Sequence, residues 1–300
     1  MTHKKIAIIT IVCICIMALV SFIIWKNLTK NIQETDEHMK IVSSFYPIYI
    51  MAENITEGAE NVELVNMAET NVGCLHDYTL TTEDMKKVED ADVFIQNGLG
   101  MENFINKIID SSDDLTIIDS SQGIENIIQH EKETNAHIWM NIDNYIKQVE
   151  NISKGLQEVD SANAEVYKKN ATDYIQKLQE LRERFINKLT SLEKTKVINL
   201  NEAFEYLGQE LKLDMTTIET DHEESTMSAE MLGSIISQVE RENIEIIFID
   251  KNDNKSNAET IANETGAKIY ELNSGLKGEL DKDAYIRAME ENLSTLFAEG

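Results

Sequence analysis

Two histidines carry the clearest chemical signal in the sequence. His76 lies in residues 73–78 (GCLHDY) and His137 in residues 135–140 (NAHIWM), each in a predicted loop after a parallel strand. Imidazoles on such loops can converge on one metal ion, and neither histidine has a reactive nucleophile beside it. A lone histidine is more often a surface or packed residue, so the surrounding elements decide what the pair means. The pair indicates capture of an ion rather than catalysis.

The segments that would hold these loops alternate short β-branched runs with helical stretches from residue 40 onward. That alternation is typical of βαβ units, whose parallel strands form an open sheet. We therefore expect an α/β fold with two lobes, each built on a four-stranded, mainly parallel sheet. The predicted strands are residues 40–45, 62–66, 92–96 and 116–119 in the first lobe, and residues 196–200, 215–219, 245–249 and 268–272 in the second.

Two helices have strong sequence signals. Thr81 can cap the helix that follows it, with Asp84 at the third position of that helix. Residues 162–192 contain neither glycine nor proline, and their apolar residues recur at spacings of three and four. A continuous helix of about 30 residues would be about 45 Å long. We expect this long backbone helix to join the two lobes as a rigid strut, which would limit domain closure.

The N-terminal residues resemble a targeting segment. Lys4 and Lys5 precede an apolar run over residues 6–25 that contains no charged residue and is long enough to cross a bilayer. We expect an uncleaved membrane anchor that holds the protein on the extracytoplasmic face of the membrane. The alternative is a cleaved signal that releases a secreted protein. A lipoprotein signal would need small residues before Cys13, and this sequence has none there.

The chain is therefore predicted to have five parts. Residues 1–25 are the membrane anchor or signal segment, and residues 26–39 are a polar tether. Residues 40–150 form the N-terminal lobe, residues 151–193 the helical region with the backbone helix, and residues 194–300 the C-terminal lobe. A formal net charge of −27 argues against a nucleic-acid partner, because so acidic a chain repels phosphates.

Two asparagines occupy equivalent places in the second lobe. Asn201 follows its first predicted strand and Asn273 follows its last. Because ligands of open parallel sheets bind beyond the carboxyl ends of the strands, both asparagines should face the same interlobe cleft as His76 and His137. A turn or helix-cap role is the alternative for each asparagine.

The sequence resembles the metal-binding solute-binding proteins of ABC importers, the zinc and manganese family with a helical interdomain backbone. The resemblance implies two lobes joined by a long helix, one divalent ion between them, and delivery of that ion to a permease with its ATPase. The stretches that carry it run in the expected order from residue 45 to residue 293: residues 45–47 (FYP), 76–78 (HDY), 82–98 (TEDMKKVEDADVFIQNG), 137–139 (HIW), 201–206 (NEAFEY), 259–266 (ETIANETG) and 283–293 (DAYIRAMEENL).

The resemblance also implies a ligand set, and this chain departs from it. His76 and His137 match the first two ligands of the family. The third is normally a histidine, or a glutamate in manganese binders, and the fourth an aspartate, but Asn201 and Asn273 stand there. Two imidazoles and two amide oxygens supply no anion to neutralise a divalent cation, and amide oxygen binds zinc less well than imidazole.

Neighbouring side chains offer possible substitute ligands. Glu202 and Glu205 flank Asn201, Asp250 ends the third strand of the second lobe, and His222 lies in the acidic segment 219–224. Each could reach the ion directly or through water. The alternative for the two glutamates is a helix first-turn role stabilised by the helix dipole, and for His222 a solvated loop position.

Three functions compete for this sequence. The first is the binding component of a divalent-metal ABC importer, with zinc favoured over manganese. The second is a degenerate relative that binds metal weakly or not at all and serves as an adhesin, a sensor or a binder of another ligand. The third is a metallohydrolase, which ranks last because no His-Glu-x-x-His helix, nucleophile elbow or phosphate loop is present. We therefore expect a binding protein rather than an enzyme.

Overall fold

The structure, a computed structural model, divides into two compact units, residues 1–38 and residues 39–300. It describes residues 17, 20–22, 38–70, 72, 75, 78–106, 114–131, 133–188, 192–218 and 227–297. His76, His222 and most of the predicted membrane segment 6–25 lie outside these ranges. Within the ranges, no helix has the length and apolar character needed to cross a membrane.

The first sheet contains four strands whose pairings are all parallel, in the order β2-β1-β3-β4. The strands are β1 (Met39–Ser43), β2 (Val62–Asn66), β3 (Val93–Gln96) and β4 (Thr116–Asp119). Each agrees with a predicted strand to within two residues at either end. β1 pairs with β2 on one side and with β3 on the other. The chain therefore moves to one side of β1 and then to the opposite side, so the switch in strand order lies between β1 and β3.

The second sheet repeats this plan in the order β6-β5-β7-β8, again with parallel pairings. Its strands are β5 (Lys196–Asn199), β6 (Asp214–Thr217), β7 (Ile246–Asp250) and β8 (Lys268–Leu272). The prediction of two α/β lobes with four-stranded parallel sheets is confirmed. Asn201, Asp250 and Asn273 all lie at the carboxyl ends of these strands.

Eight α-helices in the described part of the chain surround the two sheets. They are α1 (Tyr46–Thr56), α2 (Thr82–Glu89), α3 (Ile142–Val159), α4 (Ala164–Ile186), α5 (Glu205–Glu210), α6 (Ala229–Glu242), α7 (Ser256–Thr265) and α8 (Ala284–Leu296). The predicted cap of α2 is present. Thr81 Oγ1 accepts from the backbone N–H of Asp84 at 3.1 Å, and Asp84 Oδ2 accepts from the N–H of Thr81 at 2.9 Å.

The predicted helix over residues 162–192 is shorter in the structure, where α4 has 23 residues and a length of about 35 Å. Its buried stripe ends at Phe185, and Ile186 is already 41% exposed. Without a buried face the helix gives way to a turn in which Lys188 N–H donates to the Phe185 carbonyl. The prediction extended the periodic pattern past the point at which packing supports it.

Helix α4 contacts both lobes along its length. Asn170 Nδ2 donates to the carbonyl of Ile55 at the end of α1 at 3.0 Å. On the second lobe, Lys177 pairs with Asp283 at 3.1 Å, just before α8 begins. Helix α4 also packs against helix α3, and its contacts with α1 and α8 place it against elements of both lobes.

The hydrophobic cores show how tightly the lobes are joined. One face of the second sheet, with Ile246 and Phe248, belongs to the same buried cluster as the first lobe and helices α3 and α4. The opposite face, with Ile247 and Ile249, packs in a smaller cluster of its own under α6 and α7. Side chains alternate between the faces of a strand, which explains the division. The two lobes are thus packed together through a common apolar core.

Candidate functional site

His137 is buried and hydrogen-bonded to Asn135. It immediately precedes a short 3-10 helix, Ile138–Met140, and only 2% of it is exposed. Its backbone N–H donates to Asn135 Oδ1 at 2.9 Å, and its ring Nδ1 lies 2.9 Å from the same oxygen. An amide oxygen can only accept, so Nδ1 carries a proton, and in the neutral imidazole the lone pair is then on Nε2. That is the form of the ring in which Nε2 binds a metal ion.

Asn135 connects His137 to the second lobe. Its Nδ2 donates to Glu205 Oε2 at 2.7 Å and to the carbonyl oxygen of Glu202 at 3.0 Å. The hydroxyl of Tyr206 donates to the Asn135 carbonyl at 2.8 Å. Sequence reasoning missed Asn135. The available signal was the Asn-x-His spacing, in which an asparagine can accept from the N–H two residues later.

Glu202 and Glu205, the predicted substitute ligands, lie beside His137. Glu202 Oε1 is 3.8 Å from His137 Nδ1. Glu205 Oε2 is 2.9 Å from Nε2 of His130, another residue that the sequence did not single out. Both glutamates also begin helical segments, Glu202–Phe204 and α5, as the helix first-turn alternative expected. Glu202 thus approaches Nδ1 of the imidazole, and Glu205 is linked to the ring through Asn135.

Asn201 has the expected place after β5 and caps the short helix Glu202–Phe204. Its Oδ1 accepts from the N–H of Ala203 at 3.0 Å. Its Nδ2 donates to Asp253 Oδ2 at 2.9 Å. The predicted capping role is therefore present. It uses one of the two lone pairs of Oδ1, so the oxygen retains a second acceptor position.

Asn273 follows β8 and is held in the same manner. Its Oδ1 accepts from the N–H of Gly275 at 3.0 Å, and its Nδ2 donates to Glu291 Oε2 at 3.0 Å. Glu291 also pairs with Lys251 at 2.7 Å. Partial burial opposes ionisation of Glu291, but the hydrogen bonds from Lys251 and Asn273 outweigh it and lower the pKa of this carboxyl. Glu291 is therefore ionised at neutral pH.

Asp250, the third predicted substitute, is buried at the end of β7 and already holds two loops together. Its Oδ1 accepts from the backbone N–H and side chain of Asn252 at 2.7 and 2.9 Å. Its Oδ2 accepts from the N–H of Ser274 at 3.2 Å. These bonds connect the loop after β7 to the loop after β8. Asp250 therefore has a structural role at the strand ends.

The segment with His137 meets both loops of the second lobe that contain the predicted asparagines. Asn135 contacts Glu202, next to Asn201, as described above. Trp139 Nε1 donates to the carbonyl of Ser274 at 2.9 Å, next to Asn273. The hydroxyl of Tyr285 on α8 donates to the Trp139 carbonyl at 2.8 Å. The segment of His137 is thus in direct contact with the loop of Asn201 and with the loop of Asn273. His76 and His222 fall outside the described residues.

The described residues contain no group of three or more histidine, cysteine, aspartate or glutamate side chains arranged to hold a metal ion. Two of the predicted positions carry amides, which are not among these four residue types.

One buried polar atom near Asn273 lacks a hydrogen-bond partner among the described residues. Ser274 Oγ makes no hydrogen bond within the described part of the chain, and such buried groups are usually satisfied by water or a ligand.

A cavity of about 240 Å³ adjoins Asn273. Tyr46 and Pro47 at the start of α1 form one wall, and Gly275 and Tyr285 of the second lobe form another. The opening therefore lies between the lobes. It gives solvent a route to the loop after β8.

Comparisons with known proteins show the family of this chain and its fold. Residues 41–298 match the family model described as ZnuA, zinc-uptake complex component A, periplasmic. The manganese-binding lipoprotein MntA of Halalkalibacterium halodurans is 31% identical over 273 residues, covering 87% of this chain and 88% of that protein. The high-affinity zinc uptake system protein ZnuA of Bacillus subtilis is 28% identical, with 87% of each chain covered.

A solved structure shows the same fold. The SBP FpvC of Pseudomonas aeruginosa in complex with a Ni²⁺ ion superposes with a TM-score of 0.76 at 28% identity. The match covers 86% of this chain and 95% of that one. The two-lobe arrangement of parallel sheets is therefore shared along nearly the whole of both chains.

Proposed function

Because the chain belongs to the family of zinc-uptake complex component A, we propose that it is the extracytoplasmic substrate-binding component of an ABC importer for a divalent metal ion. The ion is cargo, captured between the lobes and passed to a permease with its ATPase. Zinc is the first candidate for this cargo. The relatives whose names specify a metal bind zinc or manganese, which supports the class of ion.

The observation that carries the proposal is the setting of His137. The ring is buried, its Nδ1 is hydrogen-bonded to Asn135, and its segment touches the loops of both Asn201 and Asn273. Metal-binding histidines typically have such a partner on the second ring nitrogen, which fixes the tautomer and the ring orientation. We propose His76, His137, Asn201 and Asn273 as the ligands. Glu202, Glu205, Asp250 and His222 remain the candidates for further ligands.

Manganese is the second candidate, and the donor chemistry favours it at two positions. Amide oxygens are hard ligands that suit Mn²⁺ better than they suit Zn²⁺, while imidazole suits zinc. The manganese-binding relative has the higher identity of the two compared above. Two histidines together with two asparagine oxygens form a mixed set, so competition between the two ions is the informative measurement.

The test is the metal content of the full chain, purified in detergent and dialysed against equal concentrations of zinc and manganese. We expect one bound metal ion per chain, with more chains holding zinc than manganese. His137→Ala and His76→Ala should each abolish most of the binding in titration calorimetry. His38→Ala is the matched control, because His38 is an exposed histidine outside the sheets. A metal-free wild-type chain would favour the degenerate relative, and unaffected binding in either alanine variant would place the site elsewhere.

We further propose that the N-terminal segment, residues 6–25, attaches the protein to the extracytoplasmic face of the membrane. The apolar run supports this, as does the lipoprotein name of one relative. The test is N-terminal sequencing of the mature chain from washed membranes, which should retain Met1 or Thr2. A start between residues 21 and 27 would mean a cleaved signal and a released protein.

A further inference from the structure

The two asparagines at the proposed second-lobe ligand positions share one hydrogen-bonding arrangement. In each, Oδ1 accepts from the backbone N–H two residues later, at Ala203 or Gly275. In each, Nδ2 donates to a carboxylate from another segment. Asn201 donates to Asp253 at 2.9 Å and Asn273 donates to Glu291 at 3.0 Å. A negative charge therefore stands directly behind each neutral amide.

The Asn273–Glu291 pair is less exposed to solvent than the Asn201–Asp253 pair. Asn273 is 7% exposed, and the Glu291 side chain is about half-buried and fixed by Lys251 at 2.7 Å. Asp253 lies on an exposed loop, where solvent screens its charge more. We therefore expect Glu291 to affect the site more than Asp253 does.

A carboxylate in this place has two physical effects on a metal ion bound by the amide oxygen. When Nδ2 donates a hydrogen bond to the carboxylate, electron density in the amide shifts toward Oδ1. Oδ1 then becomes a stronger metal ligand, as outer hydrogen bonds strengthen other ligands. The negative charge also attracts the cation through space. Together they replace part of what an aspartate at residue 273 would supply.

We propose that Glu291, acting through Asn273, supplies the negative charge of the metal site, and that Asp253 does the same more weakly through Asn201. This inference rests on the proposed function, because it needs a divalent ion between the lobes. Glu291 is a positioning residue that acts through the ligand. It also follows that an aspartate at residue 273 conflicts with Glu291, since it would lose the hydrogen bond and place two carboxylates side by side.

The test is a double-mutant cycle on the full chain, with zinc affinity measured by competition with a chromophoric chelator. Glu291→Gln keeps an acceptor for Asn273 and removes only the charge, so affinity should fall about tenfold. Asn273→Asp alone should change affinity by no more than about twofold, because ligand charge is gained and repulsion is added. The double variant should bind at least about tenfold more tightly than Glu291→Gln, because the charge has moved onto the ligand.

Glu290→Gln is the matched control, since Glu290 lies on the same helix and pairs with Arg184 at 2.7 Å. Lys251→Met tests whether the fall in zinc affinity could instead result from misfolding. It removes the cation that offsets Glu291, so affinity should rise about threefold, a direction that misfolding cannot produce.

Two results would overturn the inference alone: wild-type affinity in Glu291→Gln, or the same effect of Asn273→Asp whether residue 291 is Glu or Gln. A wild-type chain that binds neither zinc nor manganese would overturn the proposed function and this inference with it.

Discussion

The two lobes have the same strand order and present different chemistry at the strand ends. In the first lobe an imidazole, His137, is oriented by the neutral amide of Asn135. In the second lobe the amides of Asn201 and Asn273 are held by the carboxylates of Asp253 and Glu291. The repeated sheet determines where the loops meet, and the side chains on those loops determine which ion is favoured and how its charge is balanced.

Two individual carboxyl groups, Glu102 of the first lobe and Glu291 of the second, have pKa values shifted in opposite directions. Glu102 of the first lobe is buried, and desolvation raises its pKa to about 7 in spite of hydrogen bonds from the N–H groups of Asn97 and Gly98. Glu291 of the second lobe is about half-exposed and its pKa is lowered. Glu102 therefore takes up a proton near neutrality, whereas Glu291 stays ionised.

The largest expected effect is on the unfolding free energy and comes from replacing Glu102. A carboxyl whose pKa is raised in the folded state stabilises the fold at low pH, and that contribution is lost as pH rises through about 7. Between pH 5 and pH 8 the unfolding free energy of the wild type should fall by about 2–3 kcal/mol relative to Glu102→Gln. Urea denaturation at both pH values measures the difference. Glu125→Gln, at an exposed position, is the control, and parallel pH profiles for Glu102→Gln and the wild type would contradict the account.

The next effect concerns the support of the imidazole. Asn135→Ala removes the partner of His137 Nδ1 and the link to Glu205. We expect zinc affinity to fall about 10- to 100-fold, the usual cost of losing such a partner. Asn151→Ala is the control, because Asn151 bonds only first-lobe carbonyls of Ser120 and Gln122 in the described structure. A change below about twofold would mean that Asn135 does not orient the ligand.

A smaller effect is expected at the contact between the lobes. Tyr285→Phe removes the hydroxyl bonded to the Trp139 carbonyl but keeps the ring stacked on Tyr145, with centroids 3.5 Å apart. The loss of one buried hydrogen bond should lower the unfolding free energy by about 1 kcal/mol. Urea denaturation at pH 7 measures it, with Tyr270→Phe on the second sheet as the control. An unchanged midpoint would show that the hydroxyl does not contribute to stability.

The smallest effect tests whether charge or apolar packing joins the lobes. Arg184 on α4 pairs with Glu290 on α8 at 2.7 Å, and both side chains are about half-exposed. Arg184→Gln should lower the unfolding free energy by less than about 0.5 kcal/mol, because exposed ion pairs are screened. A loss above about 1 kcal/mol would show that ion pairs rather than the common core hold the lobes together.

The sequence predicted the sheets well and the site only in part. Strands such as residues 92–96 and 245–249 were recognisable because buried parallel strands are short apolar, β-branched runs between helical segments. The end of α4 was missed because it depends on tertiary burial at Phe185. Asn135, His130 and Glu291 were missed because their roles arise from contacts between segments distant along the chain. His76 and His222, the division into five parts and the ligand set stay predictions.

The central claim is that His137 of the first lobe and the amides of the second lobe hold one metal ion between them. Diffraction data collected at the zinc absorption edge, from crystals of the chain grown with zinc, test it most directly. The account predicts one anomalous peak at about 2.0–2.1 Å from His137 Nε2, bounded by the loops of His76, Asn201 and Asn273. A peak remote from His137, or no peak with either zinc or manganese, would contradict it.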